Sequence, residues 1–188
     1  MIRQDIENYR LAIQGFAGLR IGDSDALLRE LRAQFPKLQI QLFRANRIAG
    51  PEHLIFAATA AISALRQHRQ RAHTLAVELL LYVSCQRQIS KAIQLLGLTS
   101  NSHEAVLAAV TGETLPSGLE HGIEKTLKAS KDDDVIEVTC QKKVSELMRV
   151  YNISRKSITA AQLPGEAETS VLKRLIIERS ALLAVEKQ

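Results

Sequence analysis

The sequence of 188 residues is poor in aromatic side chains and in cysteine, and it contains no tryptophan. Only 4% of its residues are aromatic, which argues against a single-strand-binding platform built from stacked rings. The two cysteines, Cys85 and Cys140, lie far apart without CxxC spacing. Neither a zinc site nor a disulfide framework is therefore expected.

Long apolar runs and catalytic signatures are also missing. No run approaches the roughly 20 apolar residues needed to cross a bilayer, and the N-terminus lacks the apolar segment of a signal peptide. We therefore expect a cytoplasmic protein without membrane contact. The sequence contains no glycine-rich phosphate loop, no GxSxG elbow and no paired-histidine zinc motif, so no catalytic residue, cofactor, small-molecule substrate or metal is expected.

Two features nevertheless keep chemical alternatives open. Cys85 at the head of a predicted helix is a conceivable nucleophile for a small transferase, although no partner base is evident. The acidic run Asp132-Asp133-Asp134 suggests magnesium, but adjacent side chains on a loop diverge. We interpret this run as a solvated turn.

The net charge of +5 is distributed unevenly along the chain. Between Arg44 and Lys91 there are seven basic residues and only two acidic ones, whereas the remainder holds 18 of each sign. The seven are Arg44, Arg47, Arg66, Arg69, Arg71, Arg87 and Lys91. Concentrated positive charge indicates an anionic partner, although such a surplus also occurs on surfaces that bind nothing.

Helices alternate with short apolar runs, which predicts an α/β or α+β fold with a small mixed sheet surrounded by helices. We divide the chain into an N-terminal extension (1–10), a single domain (11–165) and a C-terminal helix (166–188) packed on the domain or on a partner. Predicted strands are 11–18, 38–45, 77–83 and 103–112, with a further one within 132–139. Predicted helices are 23–35, one that begins at Gly50-Pro51, one that runs from Ser84 to Gly97, a short one within 115–130, 141–154, and the C-terminal helix.

The stretch VELLLYVSCQRQISKAIQLLG (77–97) is the most informative part of the sequence. Ser84 is a reasonable cap for a helix whose apolar stripe is Ile89, Ala92, Ile93 and Leu96. Arg87 and Lys91 would then share its outward face, with Gln86 and Gln88 on the flanks. The first turn of a helix also points unpaired N–H groups outward, so this turn is suited to hold a phosphate.

A second basic segment, RQHRQRAH (66–73), follows the helix that begins at Pro51. Its arginines lie at the negative end of the helix dipole, so dipole compensation explains them as well as phosphate contact does. Both interpretations stay open.

Three stretches resemble one family. They are IQLFRANRIAGPEHLIFAATAAISAL (40–65), VELLLYVSCQRQISKAIQLLG (77–97) and VIEVTCQKKVSELMRVYNIS (135–154). In this order and spacing they resemble the small kinase-binding subunit of the KEOPS complex, the family called TPRKB in animals, with the archaeal type favoured. The resemblance extends from about Leu11 to RLIIERSALL near the C-terminus. One departure is Cys85, where the family often has glycine.

This resemblance implies a non-catalytic subunit that binds and stimulates the KEOPS kinase-like ATPase and helps to bind tRNA, including its 3′ CCA end, for threonylcarbamoyl-adenosine modification. A stand-alone nucleic-acid-binding protein is the alternative. The implied tRNA-binding residues are Arg47, Gly50, His53, Gln86, Arg87, Gln88 and Lys91. For His53, a role in capping or in the core is an equal alternative. The kinase-binding residues implied on the C-terminal helix are Leu175, Ile176, Arg179, Leu182 and Leu183, although the same stripe would also pack on the sheet.

Overall fold

The fold was analysed in a computed structural model, which describes residues 1–185. The strands are β1 (Ile2–Ile6), β2 (Tyr9–Ala17), β3 (Gln39–Arg44), β4 (Glu104–Thr111) and β5 (Ser130–Lys131). The helices are α1 (Ser24–Gln34), α2 (Pro51–Arg66), α3 (Leu75–Ser84), α4 (Ile89–Leu96), α5 (Leu119–Leu127), α6 (Gln141–Val150), α7 (Arg155–Ala161) and α8 (Glu168–Val185). Short 3-10 helices lie at Ala45–Arg47 and Asp133–Ile136. No helix between residues 1 and 185 is both long enough and apolar enough to cross a membrane.

The sheet has the strand order β1-β2-β4-β3, with β5 paired to one end of β2. Each of these pairings is antiparallel, whereas a mixed sheet was expected. The predicted α+β class is confirmed, as are the strands at 11–18, 38–45 and 103–112. Residues 2–6, which the sequence assigns to an extension, form the edge strand beside β2.

Both faces of the sheet are buried. Along β4, Val106, Ala108 and Val110 face one apolar cluster, formed largely with α2, α3 and α4. The alternate residues face a second cluster, which includes residues of α1 and α5. Burial on both faces explains why β4 is apolar nearly throughout instead of alternating. A third cluster joins α6, α7 and α8 beside α2.

The segment 77–83 is the main error of the sequence prediction, because it lies inside helix α3 and not in a strand. The hydroxyl of Thr74 caps this helix by accepting the N–H of Val77 at 3.3 Å. Nearly every residue of α3 is buried, since the helix lies against α2, α8 and the sheet. A helix that is apolar on all sides has no 3.6-residue periodicity and cannot be told from a buried strand by its pattern. Ser84 accordingly ends α3, and α4 begins only at Ile89.

The segment 132–139 was also predicted wrongly, because it contains a 3-10 helix instead of a strand. Asp133 is not simply a solvated turn residue. Its carboxylate accepts the backbone N–H of Gly15 at 2.9 Å and the side-chain amide of Gln14 at 2.7 Å. This contact fixes the 3-10 helix against β2.

Candidate functional site

The predicted binding segment begins at a left-handed turn that ends α3. Cys85 has φ of 53°, and its N–H donates to the carbonyl of Tyr82 at 3.1 Å. The N–H of Gln86 donates to the carbonyl of Leu81 at 3.1 Å, which closes the helix end. Glycine adopts this conformation without strain, whereas Cys85 carries a Cβ there.

Side chains from three other elements hold the same helix end. The hydroxyl of Ser180 in α8 donates to the carbonyl of Tyr82 at 2.9 Å. The carbonyl of Val83 lies 3.1 Å from Nε2 of His53 in α2 and 3.0 Å from the hydroxyl of Tyr151, which follows α6. Because these bonds are buried, they fix the direction in which the chain leaves α3.

His53 is a residue of the core and not of the surface. Its Nδ1 accepts the N–H of Ala49 at 3.4 Å, so Nε2 carries the ring hydrogen and donates it to Val83. Its ring also packs edge-on against Tyr151, with centroids 5.6 Å apart. Removal from water lowers the pKa of His53 to about 4, and the bond to Val83 opposes this shift. Of the two roles left open by the sequence, the structure supports the core role, because the buried ring cannot reach a nucleic acid.

Gly50 and Arg47 also have roles within the fold. Gly50 is buried with φ of 98°, and a Cβ there would come within 2.8 Å of the side-chain ends of Glu52 and Lys173. Arg47 forms an ion pair with Glu146 at 2.9 Å and donates to the carbonyl of Leu95, with only 12% of its side chain exposed. Neither residue lines the cleft described next. Both residues therefore have structural roles in the chain, and their assignment as tRNA contacts stays a prediction.

The other four predicted tRNA-contacting residues line one cleft of about 580 Å³. One wall is the turn after α3 with the start of α4, and the opposite wall is α8. The described lining residues are Ser84, Cys85, Gln86, Arg87, Gln88, Lys91, Val150, Tyr151, Asn152, Arg179, Leu182 and Leu183. The cleft thus combines residues from the predicted tRNA set with three residues from the predicted kinase set.

The cleft is cationic at its rim. Arg87, Lys91 and Arg179 are exposed, and none of the described lining residues is acidic. Arg179 also donates to the carbonyl of Asn152 at 3.1 Å, which connects α8 to the turn after α6. Gln86, Gln88 and Asn152 supply amides that both donate and accept hydrogen bonds. Such a cleft is suited to a small anionic group or to the end of a polyanion.

Two apolar residues of α4 that were predicted to face the core are instead exposed. Ile89 is 41% exposed and Ile93 is 53% exposed, whereas Ala92 and Leu96 are buried. An 8-residue helix docked along one edge covers only a narrow part of its apolar stripe. Near the end of α8, Leu182 is 58% exposed and Val185 is 75% exposed. Exposed apolar side chains of this size are candidates for contact with another protein.

The remaining residues of the predicted kinase set divide into two groups. Ile176 and Leu183 are fully or nearly fully buried by other parts of the chain, and Leu175 is partly buried. Helix α8 packs mainly on α2, α3 and α7, and not on the sheet. Ile176 and Leu183 therefore present little surface, whereas Arg179 and Leu182 are exposed, and the assignment of the set to a partner interface stays a prediction.

The surroundings of Cys85 favour the protonated thiol over the thiolate. Its Sγ lies 3.8 Å from the carbonyl of Ile176, and removal from water raises its pKa to about 12, with Arg179 opposing the shift. A nucleophilic cysteine needs the opposite shift, since the thiolate is the reactive form. Within residues 1–185, no group of three or more histidine, cysteine or acidic side chains is placed to hold a metal ion.

We therefore expect iodoacetamide to alkylate Cys85 at least about tenfold more slowly than the exposed Cys140 at neutral pH. Single-cysteine variants, Cys140→Ser and Cys85→Ser, allow each rate to be measured by mass spectrometry. In urea the two rates should converge, because unfolding removes the protection of Cys85. Faster alkylation of Cys85 in the folded protein would restore the nucleophile interpretation.

No sequence pattern identified two residues of the cleft, Tyr151 and Asn152. Tyr151 lies within the predicted helix 141–154; its side chain is buried, and its hydroxyl donates to the carbonyl of Val83 at 3.0 Å. The ring of this side chain packs in the core, while its hydroxyl bonds to a backbone carbonyl that is distant in sequence. Such a double role leaves no local pattern in the sequence.

Comparison with curated protein sequences gave no match. A comparison with family models gave one match, to the family described as "Kinase binding protein CGI-121", over residues 20–184. The matched range includes the turn after α3, all of α4 and all but the last residue of α8 described in the structure. The chain therefore belongs to the CGI-121 family of kinase-binding proteins, which confirms the family that its sequence resembles.

Proposed function

We propose that this protein is a non-catalytic regulatory subunit of the KEOPS complex, which binds and stimulates the kinase-like ATPase subunit and helps to hold the 3′ CCA end of tRNA. Kinase binding follows from the family itself. The observation that supports the tRNA role is the cleft, where three cations and three amides converge without an acidic residue among the described lining.

The chemistry of the cleft favours an unpaired RNA end over a duplex. Its volume of about 580 Å³ is that of a pocket for a small group or a chain end, and not of a groove that follows a duplex. Arg87, Lys91 and Arg179 supply charge for phosphates, while Gln86 and Gln88 can bond to a ribose hydroxyl or a base edge. Protein recognition of RNA sequence generally uses such unpaired ends, because their base edges are accessible.

For the kinase contact, we propose the exposed part of α8. Leu182 and Val185 are apolar and exposed, and Arg179 adds a charged group one turn before Leu182. Exposed apolar side chains mark candidate protein contacts, and arginine is enriched among the interface residues that carry most of the binding energy. Because Leu182 also lines the cleft, this arrangement would place the kinase at the cleft mouth.

The test is tRNA binding by the wild type and by Arg87→Glu at several salt concentrations, with intact tRNA and with tRNA that lacks the CCA tail. We expect Arg87→Glu to weaken binding at least about tenfold, because it replaces an attraction to phosphate by a repulsion. Removal of the tail should weaken wild-type binding, and affinity should fall as salt rises because phosphate contacts release counterions.

Arg20→Glu is the matched control, because this substitution makes the same change of charge. Arg20 is exposed and lies outside the cleft. If neither the tail nor Arg87 affects affinity, the assignment of the cleft to tRNA is wrong. Adding the kinase subunit separates this proposal from a stand-alone nucleic-acid-binding protein. The subunit role requires a stable complex and a higher rate of ATP hydrolysis, whereas the alternative requires neither.

A further inference from the structure

The loop between α2 and α3 carries a dense group of basic side chains. Residues 66–73, called the basic loop below, contain three arginines and two histidines and no acidic residue. Arg66, His68, Arg69 and His73 are exposed. None of them lines the cleft, so the basic loop is a separate cationic surface.

The base of this loop is fixed by a buried carboxylate. Oε2 of Glu78, in the first turn of α3, accepts the N–H of Arg71 and the N–H of Ala72, each at 2.8 Å. Glu78 is 1% exposed and Ala72 is buried beside it. A loop anchored in this way presents its exposed side chains in a defined position, which lowers the entropy cost of binding.

The basic loop is also joined to the wall of the cleft. The Arg71 guanidinium donates to the carbonyl of Leu183 in α8 at 2.8 Å, and Leu183 is one of the residues that line the cleft. The loop therefore meets α8 at the level of the cleft. Arg69 and His68 project from the chain two and three residues before this contact.

Capping of α2 does not account for the exposed arginines. The last carbonyls of α2 are already satisfied by the backbone, because the N–H groups of Gln67, His68 and Arg69 donate to Ser63, Leu65 and Ala64. Arg66 pairs with Glu7 across an exposed surface, and the Arg69 guanidinium donates to the side-chain carbonyl of Gln67 in its own loop. Exposed contacts of this kind contribute little to stability, so both guanidinium groups can exchange them for phosphate.

We propose that the basic loop is a second RNA-binding surface, which contacts backbone phosphates of the strand that leaves the cleft. The inference rests on the proposed function, because it takes the RNA end to occupy the cleft. Arginines on a loop bind phosphates without regard to base sequence, so the loop would add affinity and position the RNA while the cleft selects its unpaired end.

The experiment measures the affinity of Arg69→Gln, and of the double variant Arg66→Gln/Arg69→Gln, for two RNAs. One is a full-length tRNA transcript, and the other is the trinucleotide CCA, which lacks the strand that would leave the cleft. We expect the double variant to bind the transcript about tenfold more weakly. The slope of log affinity against log salt should also fall by about one for each lost phosphate contact. Affinity for the short RNA should stay unchanged.

Arg20→Gln serves as the control for loss of one exposed positive charge, and thermal melting verifies that each variant is folded. If the loop variants bind the transcript as tightly as Arg20→Gln does, the loop is not an RNA contact, while the role of the cleft stands. If they weaken the kinase complex and not RNA binding, the loop is a protein contact and the proposal is wrong. Failure of the wild type to bind either RNA would overturn the proposed function together with this inference.

Discussion

Replacing His53 by alanine is expected to destabilise the protein by about 3 kcal/mol at neutral pH, because it empties a buried site and leaves the N–H of Ala49 without its acceptor. The side chain also supports the turn at Cys85 through its bond to Val83. The measurement is urea unfolding monitored by circular dichroism. A variant destabilised by this amount should still fold, because the free energy of unfolding of a native domain is roughly 5–15 kcal/mol.

The pH dependence of the same variant provides a second and sharper result. The pKa of His53 is about 4 in the folded protein, against 6.5 for an unperturbed histidine. Between these values the unfolded chain binds more protons than the folded one, so stability present above pH 6.5 is lost as the pH falls toward 4. The loss attributable to His53 is about 3 kcal/mol. The gap in stability between wild type and His53→Ala should therefore narrow steadily over this range.

His121→Ala is the matched control, since His121 is a histidine of α5 that is exposed to solvent. Its stability should follow that of the wild type at every pH, within about 0.5 kcal/mol. A gap between wild type and His53→Ala that stays constant from pH 7 to pH 4 would mean that His53 takes up a proton in the folded state as readily as in the unfolded chain. Its assignment as a neutral core residue would then be wrong.

Gly15→Ala is expected to lower the free energy of unfolding by about 2–3 kcal/mol, which is a large effect for the addition of one methyl group. A Cβ at position 15 would lie 2.1 Å from the carbonyl oxygen of Asp132 and 2.8 Å from Cγ2 of Val135. The nearest of these atoms belongs to the backbone and cannot rotate away. The change would push the 3-10 helix off β2 and weaken the contact between the Gly15 N–H and Asp133.

Gly22→Ala makes the same change where no atom lies within 4 Å of the added Cβ. It should alter stability by no more than about 0.5 kcal/mol in either direction. Thermal unfolding of the two variants side by side measures the difference. Equal melting temperatures would show that β2 and the segment after β5 can separate without cost, contrary to the packing described above.

The sequence was sufficient to predict elements that have one buried face and one exposed face. Helix α1, predicted at 23–35, follows Asp23, whose carboxylate caps it by accepting the N–H groups of Asp25 and Ala26. Helix α2 begins at Pro51 as expected, because proline suits the first helical position. Helix α3 was missed, since uniform burial leaves no periodicity that separates a helix from a strand.

The candidate site was only half predictable. Gln86, Arg87, Gln88 and Lys91 were identified from their position near a helix start, and all four line the cleft. The helix start itself was placed incorrectly, because α4 begins at Ile89 after the left-handed turn at Cys85. The opposite wall comes from α8 and from the turn after α6, which are remote in the sequence. No spacing rule connects segments that meet only in the folded chain.

The sequence by itself determined the family, the α+β class, the uneven charge and the basic character of the segment that surrounds Arg87, since each depends on residue type and order alone. Only the tertiary structure decided that His53 and Arg47 support the fold while Arg87, Lys91 and Arg179 share a cleft. The physical reason is that burial and charge proximity depend on which surfaces of α2, α3 and α8 meet. That meeting is set by the shape of the packed core and not by the pattern of any one helix.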